Sequence, residues 1–167
     1  MDSIAVIAAL RYYWSNDSTL QTLLGVSTQA EALKRIVMKD AQYVNMKSDT
    51  ADQYPLPAIT LKLDDEEETV GVPSNEEYIE AIIYNSTYNA NCIYDNIRIK
   101  DRLKTITAEK KSGDDFHSNI NAQGQALALD PKVRGVFWVS ASTYDDKEQG
   151  TQRLHRIICV LRMIVGD

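Results

Sequence analysis

Residues 154 to 165 (Leu-His-Arg-Ile-Ile-Cys-Val-Leu-Arg-Met-Ile-Val) limit the fold more than any other part of the chain. Side chains alternate between the two faces of a strand. Ile157, Cys159, Leu161, Met163 and Val165 therefore share one face, while Ile158, Val160 and Ile164 share the other with Arg156 and Arg162. A strand that is apolar on both faces is covered twice and sits inside its sheet rather than at the edge. Three further runs can flank it. Val133 to Tyr144 precedes it across a turn at Asp145-Asp146-Lys147-Glu148-Gln149-Gly150, which makes a terminal hairpin. Ala58 to Leu63 puts Ile59, Leu61 and Leu63 on one face and Thr60 and Lys62 on the other. Glu77 to Tyr84 alternates in the same way, with Ile79, Ala81 and Ile83 opposed to Tyr78, Ile82 and Tyr84. These two runs read as a second antiparallel hairpin, with Pro55-Leu56-Pro57 as a rigid lead-in and Gly71, Pro73 and Asn75 as turn residues.

Helices account for much of the rest. Ser3 to Trp14 carries an Ile4, Ile7, Ala8, Leu10 stripe, and Asp17-Ser18-Thr19 caps a short second helix with Leu20, Leu23 and Leu24. Gly25 follows at the position where a helix commonly turns left-handed. Thr28 and Glu31 have capping-box spacing ahead of Ile36, and Arg35 to Lys39 fits either a helix end or a short strand. Asn89 to Thr107 is the strongest helical stretch. Its Ala90, Ile93, Ile97, Leu103 and Ile106 are taken as one buried stripe. From Lys110 to Pro131 no period is evident, and we expect a long loop at about 110 to 131. The expected fold is α+β: an antiparallel sheet of two β-hairpins packed against an amphipathic helix, with N-terminal helices, in one domain over residues 1–167.

Charge and composition narrow the function. The chain has 18 basic and 24 acidic residues, a formal charge of −6. Tight DNA binders draw most of their affinity from cations placed on phosphates, so this balance argues against such a role. The longest apolar run near the C-terminus, Ile157 to Leu161, is far short of the roughly 20 residues of a membrane span. Cys92 and Cys159 make no C-x-x-C pair and read as buried reduced thiols, and a soluble intracellular protein is expected.

Motifs for catalysis are missing. No P-loop, G-x-G-x-x-G, H-E-x-x-H or G-x-S-x-G occurs. The two histidines are His117, near Asp114 and Asp115 in the expected loop, and His155, beside Arg156 in the last strand. Neither has a nucleophile or ligand set at a recognisable spacing, so no enzyme activity, metal or cofactor is expected.

Three features are candidates for contact with other molecules. Asp64, Asp65, Glu66, Glu67 and Glu68 open a window to residue 80 with eight carboxylates and no Lys or Arg. The window reads as a solvated hairpin end, as a surface that faces a basic partner or repels a polyanion, or as a weak cation site without alternating ligand spacing. Arg98, Lys100, Arg102, Lys104, Lys110 and Lys111 form a basic stretch, read as a solvated helix face or as an interface with the acidic hairpin of a neighbouring copy. Tyr12, Tyr13 and Trp14 read as a core edge or as an intersubunit anchor.

The order of these pieces carries a resemblance. An N-terminal helix is followed by Leu-x-x-Leu-Leu-Gly at Leu20 to Gly25. Then come Tyr-Pro-Leu-Pro-Ala-Ile-Thr-Leu at Tyr54 to Leu61 and Tyr-Ile-Glu-Ala-Ile-Ile-Tyr at Tyr78 to Tyr84, and after them the amphipathic helix and the terminal hairpin. Over nearly its whole length the chain resembles the tail terminator, or tail completion, proteins of long-tailed bacteriophages. The resemblance implies a structural virion protein, assembled in the host cytoplasm, that forms a homo-hexameric ring on the tail tube protein. The ring would stop tube growth, join the tail to the capsid neck and pass genomic DNA, without specific binding and with no membrane involved, through an acidic lumen. Asp64 to Glu68 become lumen or interface residues, and Tyr12, Tyr13, Trp14, Arg98, Arg102 and Lys104 intersubunit contacts. Val26 to Gln53 is longer than the family pattern, and the usual glycine-arginine lead-in to the first strand is absent. The alternatives are a neck stopper or head-completion protein of the same connector, and a small non-viral intracellular binding domain.

Overall fold

The structure, a computed structural model, describes residues 3–38, 56–63, 76–86, 89–107, 116–127, 133–145 and 154–165. The elements run α1 (Ser3–Ser15), α2 (Ser18–Leu23), α3 (Gln29–Arg35), β1 (Ile36–Val37), β2 (Ala58–Leu63), β3 (Glu76–Ser86), α4 (Cys92–Thr107), α5 (Phe116–Ala126), β4 (Val133–Asp145) and β5 (Leu154–Val165). The fold is α+β.

The strands form a five-stranded sheet in the order β1-β2-β3-β5-β4. Both expected hairpins are present, β2 with β3 and β4 with β5, and antiparallel pairing of β3 with β5 joins them. The sequence of β5 required an interior place, and β5 lies between β3 and β4. One strand was not foreseen as such. β1 pairs parallel to β2, Ile36 opposite Ile59, so the sheet is mixed rather than wholly antiparallel. Arg35 ends α3 and the next residue starts a strand, which settles the ambiguity at 35 to 39 as far as it is described; Lys39 lies outside the described residues.

Alternation decides what each face meets. Ile59, Leu61, Ile79, Ala81, Ile83, Ile157, Cys159, Leu161 and Met163 join one buried core with residues of α1, α2, α4 and α5. On the other face Ile82, Tyr84 and Leu154 form a second, smaller cluster, with Leu56 and Ile158 packed against it. α1 is buried on more than a stripe: Ala5, Val6, Ile7, Ala9, Leu10 and Trp14 are all buried.

The short helices are set by their ends. Asp17 caps α2 by accepting from the Leu20 N–H at 2.7 Å. At the other end the Gly25 N–H donates to the Thr22 carbonyl at 3.0 Å and the Val26 N–H to the Gln21 carbonyl at 2.9 Å. That paired closure needs a left-handed residue, and Gly25 has φ 75°. The Thr28–Glu31 capping box on α3 is present in both directions. Arg11 of α1 donates to the carbonyls of Leu33 and Ile36, placing a cation on the free carbonyls at the end of α3.

Two expectations about helices are corrected. The stretch read as a loop at 110 to 131 contains α5. Its apolar face is small, buried Ile120 and Gly124 with half-buried Leu127, and it packs on α1 and β4. Asn121 fixes α5 to the sheet, donating to the Val133 carbonyl at 2.7 Å and accepting from the Val133 N–H at 2.8 Å. The best helix starts at Cys92, not Asn89, and buries Cys92, Asn96, Ile99, Leu103 and Thr107. The expected stripe fails because its five positions do not share a side. At about 100° per residue Ala90, Ile93 and Ile97 cluster roughly half a turn from Leu103 and Ile106. Ile93 and Ile97 face outward, 53% and 39% exposed.

Candidate functional site

Buried Asn96 and His155 form a structural tie rather than a reactive centre. Asn96 of α4 donates from its side-chain amide to Nδ1 of His155 at 2.7 Å and to the His155 carbonyl at 3.2 Å, with both residues buried. Because that amide nitrogen also bonds a carbonyl, it is the donor, so Nδ1 accepts and the ring proton sits on Nε2. His155 thus holds β5 to α4. Cys92 and Cys159 are buried and free, and burial pushes the Cys159 thiol up to about 12. A thiol at that value is a packing group, since the thiolate is the reactive form. Among the described residues no group of three or more His, Cys, Asp or Glu side chains is placed to hold a metal ion. The side chain of His117 and residues Asp114 and Asp115 lie outside what is described.

Of the residues expected at an interface, two are committed inside the chain. Trp14 is fully buried and its indole N–H donates to the Thr107 hydroxyl at 3.1 Å, so it ties α1 to the end of α4 and is not an exposed anchor. Arg102 makes two bonds to Asp17, at 2.9 and 2.6 Å, and is half-buried against α2. The geometry is a fork on a carboxylate that also caps a helix. Burial alone would raise the Asp17 carboxyl; the Arg102 and Leu20 hydrogen bonds outweigh it and hold the group below its ordinary value of 3.8. The same pair raises Arg102. Tyr12 and Tyr13 are half-buried on α1, Tyr13 against the core. Arg98 and Lys104 are exposed on α4, while Lys100 pairs with its neighbour Asp101 at 3.1 Å. Asp64, Asp65, Glu66, Glu67, Glu68, Lys110 and Lys111 lie outside the described residues. Glu80, the last acid of the window, pairs with Lys62 across the β2–β3 hairpin at 3.5 Å.

The structure exposes two apolar surface groups, of which only Ile93 and Ile97 had a place in the sequence reading, on the buried stripe of the helix. On α4, Ile93 (53% exposed), Tyr94 (61%) and Ile97 (39%) form an outward apolar ridge. Arg98 lies over the Tyr94 ring, 5.5 Å from its centroid. A shallow depression of about 320 Å³ beside Arg98 is lined by Ser18, Thr19, Thr22 and Leu23 of α2. It offers hydroxyls and one guanidinium, a polar surface rather than an enclosed reaction site.

The second group lies at the sheet edge. β4 ends the strand order, and from Gly135 to Tyr144 it carries no charge and no proline. Phe137 and Val139 are 41% and 52% exposed, and Arg162 lies 5.1 Å from the Phe137 ring centroid. Gly135 makes room for that ring: a Cβ there would meet Phe137 Cε2 at 3.0 Å. Register shifts at Val133/Gly135 and Trp138/Ser140 twist this edge. Ser140 to Thr143 are exposed beyond it. The signal that could have found the α4 ridge was present, since at about 100° per residue Ile93 and Ile97 lie roughly 80° and 120° round the helix from Leu103 and so off its buried face.

No family model matches the chain, and no curated protein matches it. No helix among the described residues is long and apolar enough to cross a membrane.

Proposed function

We propose that the chain is a ring-forming structural subunit of a phage tail, a tail terminator that caps the tail tube and joins it to the neck. The observation that carries the reading is where the exposed apolar side chains lie. Five of the six exposed large apolar side chains among the described residues gather on an outward helix ridge and a long, uncharged sheet edge, while Trp14, Asn96 and His155 are spent on holding elements together. Surfaces of that kind suit assembly into larger structures. The resemblance itself rests on the order of N-terminal helix, proline-led strand, second strand, amphipathic helix and terminal hairpin along the sequence. A ring of six copies would carry six times the formal charge of −6, and a lumen of that sign would repel DNA and let it slide. On this reading the partners are further copies, the tube subunit and the neck protein, and no cofactor is used.

A growth assay tests the proposal. Tail tube subunits are polymerised with and without the protein, and tube lengths are measured by electron microscopy. The proposal expects growth to stop at protein-capped ends. Tubes of unchanged length at saturating protein would overturn it, and binding to neck particles alone would move the assignment to the stopper.

A further inference from the structure

We propose that β4 takes up an extended acidic segment of a partner protein as a sixth strand, along Ser140 to Tyr144. Such docking goes beyond the ring reading and does not rest on it. The sheet has one short edge and one long one: β1 has 2 residues, and β4 at the other end has 13. An edge strand turns every second N–H and C=O away from its single neighbour, and those groups are a template for another strand. Lysine, proline and other charged side chains commonly guard such an edge. From Gly135 to Tyr144 none of them is present. The register irregularities end at Ser140, and from there to Asp145 the pairing with β5 is regular. A guest strand therefore meets an even, uncharged run.

The helix side of this run is open, with apolar residues above it. Ala141 and Thr143 lie opposite Cys159 and Ile157, so they share the core face of the sheet, yet both are exposed. α5 is held by Asn121 at the other end of β4, against Val133. Round α4 from the buried Leu103, Arg102 and Arg98 turn about 100° and 140° one way, toward α2. Ile93, Ile97 and Lys104 turn about 80°, 120° and 100° the other way, to the flank on which α4 meets β4. Burial raises the Cys159 thiol and the Lys100 charge opposes that, which puts Lys100 near the register partner of Ala141. Side chains as small as Ala141 and Thr143 leave room beneath Ile93 and Ile97. Large apolar residues at every second position of a guest strand fit there.

Charge decides the chemistry of the guest. On the helix side the α4 flank carries exposed Lys104, with Lys100 beside it in a pair with Asp101. On the other side of the sheet Arg156 and Arg162 of β5 stand opposite Tyr144 and Phe137 of β4. Glu80, the acid described on that face, is paired with Lys62, and the first acid along β4 is Asp145 at its end. Cations thus border the edge on both faces. A guest strand lies two strand spacings, about 10 Å, from β5, a gap that an arginine and a glutamate side chain span together. Carboxylates between the apolar residues of the guest are attracted there, and lysines in the same places are repelled.

A short synthetic peptide alternating glutamate with isoleucine is the probe, titrated into the isotope-labelled protein and followed by amide NMR. Binding should shift the amides of residues 140 to 144 and slow exchange at alternate ones about tenfold or more. Methylating one alternate set of the peptide's backbone nitrogens should abolish binding and methylating the other should spare it, because half of a guest strand's N–H groups face its neighbour. Thr143→Glu and Ile97→Glu, both at exposed positions and checked for folding by circular dichroism, should each weaken the peptide about tenfold. A peptide alternating lysine with isoleucine should bind at least about tenfold more weakly than the acidic one. No shift at the highest soluble concentration of the acidic peptide overturns the proposal, as does equal binding of the lysine peptide. Shifts confined to another surface, or binding that ignores both methylated sets, overturn strand addition. Protection of the same amides that grows with protein concentration alone, with a dimer mass in sedimentation, gives the edge to a second copy and overturns the acidic partner.

Discussion

Asp17 shows how much one residue can hold. Its carboxylate caps α2 and receives the forked guanidinium of Arg102 from α4. Asp17→Ala removes the cap and leaves Arg102 half-buried without its partner, and should cost about 1–2 kcal/mol in urea unfolding. Asp17→Asn keeps a capping oxygen and should cost less. The pH dependence follows from the lowered carboxyl: the unfolded chain binds this proton at higher pH than the folded one does. The stabilisation is complete above the ordinary carboxylate value and is lost as pH falls through the lowered one. Asp17→Asn should therefore lose less stability than the wild type on acidification below about pH 4. At Gly25, φ 75° with open space around the α-carbon isolates the backbone cost. Gly25→Ala should destabilise by about 1–2 kcal/mol without any change in packing. The thiols give a third check. Cys159 is fully buried, and a thiol-reactive dye should label it only upon unfolding.

The helices and strands differ in how openly the sequence declared them. Alternation in 58–63, 77–84 and 154–165 foretold the strands, their faces and the interior place of β5, because apolar residues on both faces leave few other solutions. α5 was hidden by its composition. Asn, Gln, Ser and Gly weaken the helical signal, and Ile120, Gly124 and Leu127 are few landmarks for a face that α1 and β4 complete. β1 was ambiguous because two residues become a strand only through a parallel partner more than twenty residues away. For the candidate site, the residue types Tyr, Trp and Arg were legible as contacts, but their destinations were not. Trp14 and Arg102 found partners within the chain, at Thr107 and Asp17, over separations that a linear pattern does not encode. Asn121→Ala tests the α5 attachment. It removes two hydrogen bonds to Val133 and should cost about 1–3 kcal/mol, with faster amide exchange at the start of β4.

In the whole molecule a tied interior stands beside exposed apolar surfaces. The sheet, α1, α4 and α5 share one core, and buried polar side chains such as Asn96 and His155 are used as ties between elements. Apart from Met38, the exposed large apolar residues among those described stand on the α4 ridge and the β4 edge. An 18.8 kDa chain with this distribution is proposed to work as one of several copies around a passage for DNA. Negative-stain electron microscopy of the purified protein, alone and mixed with tail tubes, tests that claim most directly. Six-fold rings with an open centre and matching density capping the tube ends are expected. Monomers that leave the ends bare and the tube lengths unregulated would contradict it.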